Sequence, residues 1–95
     1  MEAASAIADP VRRRVLELVR DRELAAGELA SQFDVSRPAV SRHLRVLREA
    51  GLLRERREGR LRLYRADPEP LRDLRNWLEW YWDDRLTALK EVAER

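Results

Sequence analysis

Along the chain the apolar positions change their period, and each change marks an element. Val11, Val15, Leu18 and Val19 recur in steps of three and four on one side of a helix predicted from Pro10 to about Arg20. Asp9 stands before it as a cap, and Pro10 takes the first helical position, where its missing N–H costs nothing. Residues 2–8 are small and helix-favouring, a short lead-in. The helical period returns twice between Ala26 and Gly51, broken at Asp34-Val35-Ser36. Leu29, Ala30 and Phe33 mark the first of these helices. Val40, Leu44 and Leu47 mark the second, with Ser36 as its cap, Pro38 in its first turn and Gly51 as a left-handed stop. Two helices joined by so tight a turn read as a helix-turn-helix.

After Gly51 the pattern alternates. Leu52 to Arg57 and Arg60 to Arg65 flank Glu58-Gly59 and predict a two-stranded hairpin, a basic wing over about 52–65. An isolated hairpin is marginal in water, so Leu61 and Leu63 are expected to pack on the helices. Asp67-Pro68 and Pro70 then open a last helix over about 70–93. Its apolar stripe holds Leu71, Leu74, Leu78, Tyr81, Leu86, Leu89 and Val92, with Trp77, Trp80 and Trp82 around it. So small a monomer cannot bury all three tryptophans, so this face is expected to meet a second copy of the chain. The fold class is therefore mainly α with a small β-hairpin, in one domain spanning residues 1–95.

The polar positions say what the helix-turn-helix faces. Opposite the Val40-Leu44-Leu47 stripe lie Arg37, Pro38, Ser41, Arg42 and Arg45: three cations, one hydroxyl and no acid. Solvated helix faces mix signs, so this one points at a polyanion. The net charge is only +2, but from Arg37 to Arg65 there are ten arginines against three glutamates and no aspartate. The basic signal is local, as for one face turned to nucleic acid. Arg37 is placed for a base-edge contact, Ser41 and Arg42 for bases or phosphates, and Arg45 for phosphate, with Ser36 and Pro38 at the entry. In the wing, Arg57, Arg60 and Arg62 extend the basic track, the tip being free to follow the backbone or enter a minor groove. The run Arg12-Arg13-Arg14 reads as a solvated face, with phosphate contact as the alternative.

Composition removes whole classes of chemistry. With no cysteine there is no disulfide, zinc finger or thiolate metal site. His43, the single histidine, lies at the edge of the buried stripe with no serine or acid at a catalytic spacing. Asp83 and Asp84 diverge by about 100° on their helix and make no general acid/base pair. No catalytic residue, metal or cofactor is expected. No apolar run approaches a membrane span, and the N-terminus lacks a signal peptide's apolar core, so a cytoplasmic location is expected.

The ordered series Ala8-Asp9-Pro10-Val11-Arg12, Gly27-Glu28-Leu29-Ala30, Ser36-Arg37-Pro38-Ala39-Val40-Ser41-Arg42-His43-Leu44 and Arg48-Glu49-Ala50-Gly51-Leu52 resembles the ArsR family of winged-helix repressors. Gly59 with Leu63-Tyr64-Arg65 is similar to that family's wing. The resemblance implies a homodimer through the N- and C-terminal helices, with Val11 and Val15 joining Leu71, Leu74, Trp77, Leu78, Tyr81, Trp82, Leu86 and Leu89 at the interface. It implies two recognition helices in successive major grooves of double-stranded DNA, read by Arg37, Ser41 and Arg42, with Arg57 and Arg60 at the wing tip. Metal-sensing members carry Cys-x-Cys after a Glu-Leu pair; here Glu23-Leu24 is followed by Ala25-Ala26-Gly27, and the last helix has no histidine. The metal response is therefore not expected to carry over. An unknown effector or partner protein stays open, as does a protein-interaction or small-molecule-sensing role for the tryptophan-rich helix.

Overall fold

The computed structural model describes residues 2–93, with side chains described outside 84–91. The elements run α1 (Glu2–Ala6), α2 (Pro10–Leu18), β1 (Leu24–Ala25), α3 (Ala26–Ala30), α4 (Arg37–Glu49), β2 (Leu53–Glu58), β3 (Leu61–Ala66), a 3-10 turn (Glu69–Leu71) and α5 (Arg72–Ala93).

Local chemistry sets most of these boundaries. The Asp9 carboxylate caps α2 by accepting from the Arg12 N–H at 3.0 Å, and Ser36 Oγ caps α4 by accepting from the Ala39 N–H at 3.2 Å. At the other end of α4, Gly51 adopts φ +77°. Its N–H donates to Arg48 O, and the next N–H, of Leu52, donates to Leu47 O, both at 2.9 Å. That pair of bonds closes the helix as a Schellman motif. A Cβ at Gly51 would also stand 3.2 Å from Pro70 Cγ, so both backbone angle and space favour glycine.

Helices α1 to α4 and the sheet enclose one core, in which Val15, Val19, Leu29, Val40, Leu47 and Leu52 are fully buried. Burying each such side chain is worth roughly 1.5–3 kcal/mol. Val15 therefore does not belong to a dimer interface as its resemblance-based placement implied: at 0% exposure it is sealed inside its own protomer. The α2 stripe is consumed in packing on α4, and only the flanking Val11 remains partly exposed.

The wing also departs from expectation. It is a three-stranded antiparallel sheet in the order β1-β3-β2, because Leu24 and Ala25 pair with Tyr64 and Leu63. Two residues between Glu23 and Ala26 carry too little alternation to read as a strand. The inward face of the hairpin is set by Leu53 and Tyr64, both buried, and not by the leucines of β3. Leu61 stands 54% exposed and Leu63 is only partly covered. A one-residue shift in strand register exchanges the two faces, and the aromatic ring outcompetes two leucines for the core. The turn is Gly59-Arg60, with Gly59 at φ +62° in the first turn position. The first helix of the helix-turn-helix stops at Ala30, so Phe33 packs from the turn.

Helix α5 extends from the body, and the described residues measure 64 × 25 × 21 Å overall. Leu71 and Leu74 are partly covered, while Trp77, Leu78, Trp80, Tyr81 and Trp82 are exposed. Trp77 and Tyr81 stack at 5.5 Å between ring centroids, and Trp82 meets Tyr81 edge-on at 6.5 Å. The expected interface positions Leu86 and Leu89 lie outside the residues whose side chains are described. No described helix is long and apolar enough to cross a membrane.

Candidate nucleic-acid interface

The Ser36 cap and the Val40-Leu44-Leu47 stripe fix the rotation of α4. The stripe is buried, so the opposite face is turned outward, and Arg37, Pro38, Ser41, Arg42 and Arg45 are all exposed along it with Ser36 at its start. The β2-β3 hairpin rises beside this face. Between them runs a groove of about 510 Å³ lined by Pro38, Ser41, Arg42, Arg45, Arg48 and Arg62 over the ring of Tyr64. Arg57 pairs with Arg62 across the strands, and Arg60 occupies the turn, so both continue the basic track beyond the groove. Arg37 lies off the groove, at the start of α4 beside Ala26 and Gly27 of α3.

The arginines fall into two groups. Arg14, Arg54, Arg56, Arg72 and Arg75 are each within 4 Å of a carboxylate, as are Arg48 and Arg62. Arg37, Arg42, Arg45, Arg57 and Arg60 have no such partner among the described residues, nor do Arg20 and Arg65, and Arg12, Arg13 and Arg22 donate to backbone carbonyls instead. Paired cations thus prevail on the outer wing and the described part of α5, and five of the unpaired ones gather where α4 and the hairpin tip face outward. On the outer wing, Arg56 holds the Glu23 carboxyl below its usual range through bonds of 2.6 and 2.9 Å. Asp67 is likewise held low, first by the Glu69 N–H and then by Arg54.

Two residues absent from the sequence-based set shape the groove. Arg48, on the last turn of α4, donates to Glu55 Oε2 of β2 at 2.5 Å, and this bond raises its pKa. Glu55 Oε1 lies 3.7 Å from Arg62 Nε. Arg48 follows Ser41 and Arg45 at helical spacing, so extending that stripe by one turn would have found it. Nothing in the alternation of β2 singles out Glu55.

The run Arg12-Arg13-Arg14 is a solvated face only in part, since Arg13 and Arg14 are exposed and Arg12 is half-buried. Arg12 donates from Nε to Ala6 O at 2.6 Å and from Nη2 to Ser5 O at 3.2 Å, and Arg13 donates to Ile7 O at 2.9 Å. These cations satisfy the carbonyls at the end of α1. Arg14 bonds no carbonyl and pairs with Glu17 on the surface. Arg12 Nη1 also lies 3.3 Å from His43 Nδ1, and Asp9 Oδ2 lies 3.9 Å from the same nitrogen. His43 is thus a structural link from α4 to the start of α2. Among the described residues no three of His, Cys, Asp and Glu come together as a metal could use them.

A family described as a helix-turn-helix domain matches residues 7–56. The transcriptional regulator Rv2034 of Mycobacterium tuberculosis is 42% identical, over 97% of this chain and 86% of its own length. The transcriptional repressor SdpR of Bacillus subtilis is 36% identical, over 77% of this chain and 81% of its own. An ArsR-like transcriptional regulator from Rhodococcus sp. RHA1 superposes with a TM-score of 0.79 at 33% identity, covering 98% of this chain and 88% of that one. The likeness spans the helix-turn-helix, the wing and the helices around them, and so the chain belongs to the ArsR family of winged-helix, DNA-binding transcriptional regulators.

Proposed function

We propose that the protein is a homodimeric repressor that binds an inverted-repeat operator and excludes polymerase from it, without a metal as its signal. The observation that carries this reading is the segregation of the arginines. Of the arginines without a described acid partner, Arg37, Arg42, Arg45, Arg57 and Arg60 lie on one track along α4 and the hairpin tip, while Arg12, Arg13 and Arg22 donate to backbone carbonyls and Arg20 and Arg65 lie apart. In this reading Arg37 reads a base edge from the major groove, Ser41 and Arg42 contact bases or phosphates, and Arg45 contacts phosphate. Ser36 and Pro38 flank the entry, and Arg57 and Arg60 track the backbone beside it, with Arg62 behind them against Glu55. The exposed α5 face, with Trp77, Leu78, Tyr81 and Trp82, pairs with its copy, and the partly covered Leu71, Leu74 and Val11 join at its edge. A two-fold axis then sets the half-sites roughly one helical turn apart. The absence of cysteine from the chain, and of histidine from α5, supports a signal other than a thiolate- or imidazole-bound metal.

Selection of binding sites from a random duplex library near physiological salt tests this. Enrichment of a two-fold symmetric motif is expected. Recovery of no motif, with binding that disappears as salt rises, would overturn sequence-specific dimeric readout.

A further inference from the structure

We propose that Glu55 is a specificity-determining positioning residue: it withholds Arg48 and Arg62 from phosphate and sets the angle of the wing against the recognition helix. This inference rests on the DNA-binding reading above. Glu55 is the acid ion-paired to two of the arginines lining the groove, and its side chain is only 18% exposed. One carboxylate oxygen holds Arg48 on α4, and the other faces Arg62 on β3 at 3.7 Å. The carboxylate thus ties the end of the recognition helix to both strands of the wing.

Its position costs affinity for a polyanion. A negative charge beside a phosphate-facing groove, paired with two of the arginines that line it, repels the backbone and occupies two cations that would each release counterions on binding DNA. Those terms act on every sequence alike. Retaining the carboxylate therefore lowers non-specific binding, while the fixed wing angle holds Arg37, Ser41 and Arg42 in one register against the bases. Arg45, one turn before Arg48 on the same face, has no described acid partner and remains free for phosphate.

Glu55→Gln tests the idea, because glutamine keeps the shape and an acceptor for Arg48 while removing the charge. For a random-sequence duplex, freeing one or two cations per protomer should steepen the slope of log affinity against log salt by about one to two per protomer. Between 50 and 200 mM salt that is a further loss of about three- to tenfold per protomer, about ten- to a hundredfold for a dimer, and affinity at the low-salt end should rise. The ratio of operator to random-duplex affinity should fall. Circular dichroism melting checks that the variant is folded, and Glu55→Asp, which shortens the reach of the carboxylate, should move the slope the same way by less. A folded variant with wild-type slope and wild-type ratio overturns the inference, since a purely structural role would change the melt alone. The double variant Arg48→Gln with Glu55→Gln should lie between wild type and Glu55→Gln in slope; a double variant as steep as the single one also overturns it. Wild-type protein that binds no duplex even at low salt overturns the DNA reading itself, and this inference falls with it.

Discussion

An arginine on this surface is assigned its role by whether a carboxylate stands within reach. Arg54 and Arg37 carry the same group at similar exposure, yet Arg54 Nε lies 2.9 Å from Asp67 while Arg37 faces outward with no described acid partner. Exposed ion pairs of the first kind contribute little to stability, typically well under about 1 kcal/mol. Their effect is to keep the rest of the surface from attracting polyanion. Arg37 is the free cation nearest the start of the recognition helix, where base edges are met. Arg37→Ala is expected to weaken binding to a selected operator by about 1–3 kcal/mol, to relax preference at one base position, and to leave the melt unchanged. Titration of operator and base-substituted duplexes reads this; equal affinity and preference in the variant would remove Arg37 as a reader.

Among the elements, the capped helices follow their sequence signals, and the hairpin lies where its alternation predicts but turns its other face inward and gains a third strand. Asp9-Pro10 and Ser36-Arg37-Pro38 start α2 and α4 as their residue types require, and Gly51 ends α4 with the left-handed backbone that glycine favours. The start of α2 carries a further load. Asp9 caps it, Arg12 caps α1 behind it, and both lie against His43 of α4. Asp9→Ala is expected to cost about 1 kcal/mol at neutral pH. The Asp9 carboxyl is held below its ordinary 3.8, first by the Arg12 N–H and then by the charges of His43 and Arg12. A depressed carboxyl contributes fully above its unfolded value and loses that contribution as pH falls through the folded one. Melts of variant and wild type should therefore differ at neutral pH and converge in strong acid. A difference that persists in strong acid would mean the cap acts through something other than the ionised carboxylate. The hairpin, by contrast, buries Tyr64 and exposes Leu61, a choice the alternating pattern of β3 left open.

For the whole molecule, the feature that bears on assembly is the exposed face of α5. A helix of 22 residues spans ~33 Å, and most of its described aromatic and leucine side chains stand clear of the core. Such a face is a liability in a monomer and an asset in a dimer. Leu78→Glu, in the middle of the stripe, is expected to yield monomers by sedimentation or light scattering. Operator affinity should fall steeply in the same variant, since one protomer reaches only one half-site. A stable dimer after this change would place the interface elsewhere and release the tryptophan face for a different partner.

The sequence by itself determined the helices and their caps, the helix-turn-helix, the existence of a basic hairpin and the concentration of arginine on one side. All of these depend on residues within about four positions of one another, where periodicity and capping chemistry act. Tertiary structure decided the rest. It sealed Val15 inside the protomer, recruited Leu24 and Ala25 as a third strand, and chose which face of β3 turns inward. It also sorted the arginines, because an ion pair depends on which carboxylate arrives from elsewhere in the chain. Arg56 meets Glu23 from 33 positions away. Arg48 meets Glu55 only because the Gly51 turn folds β2 back against the last turn of α4.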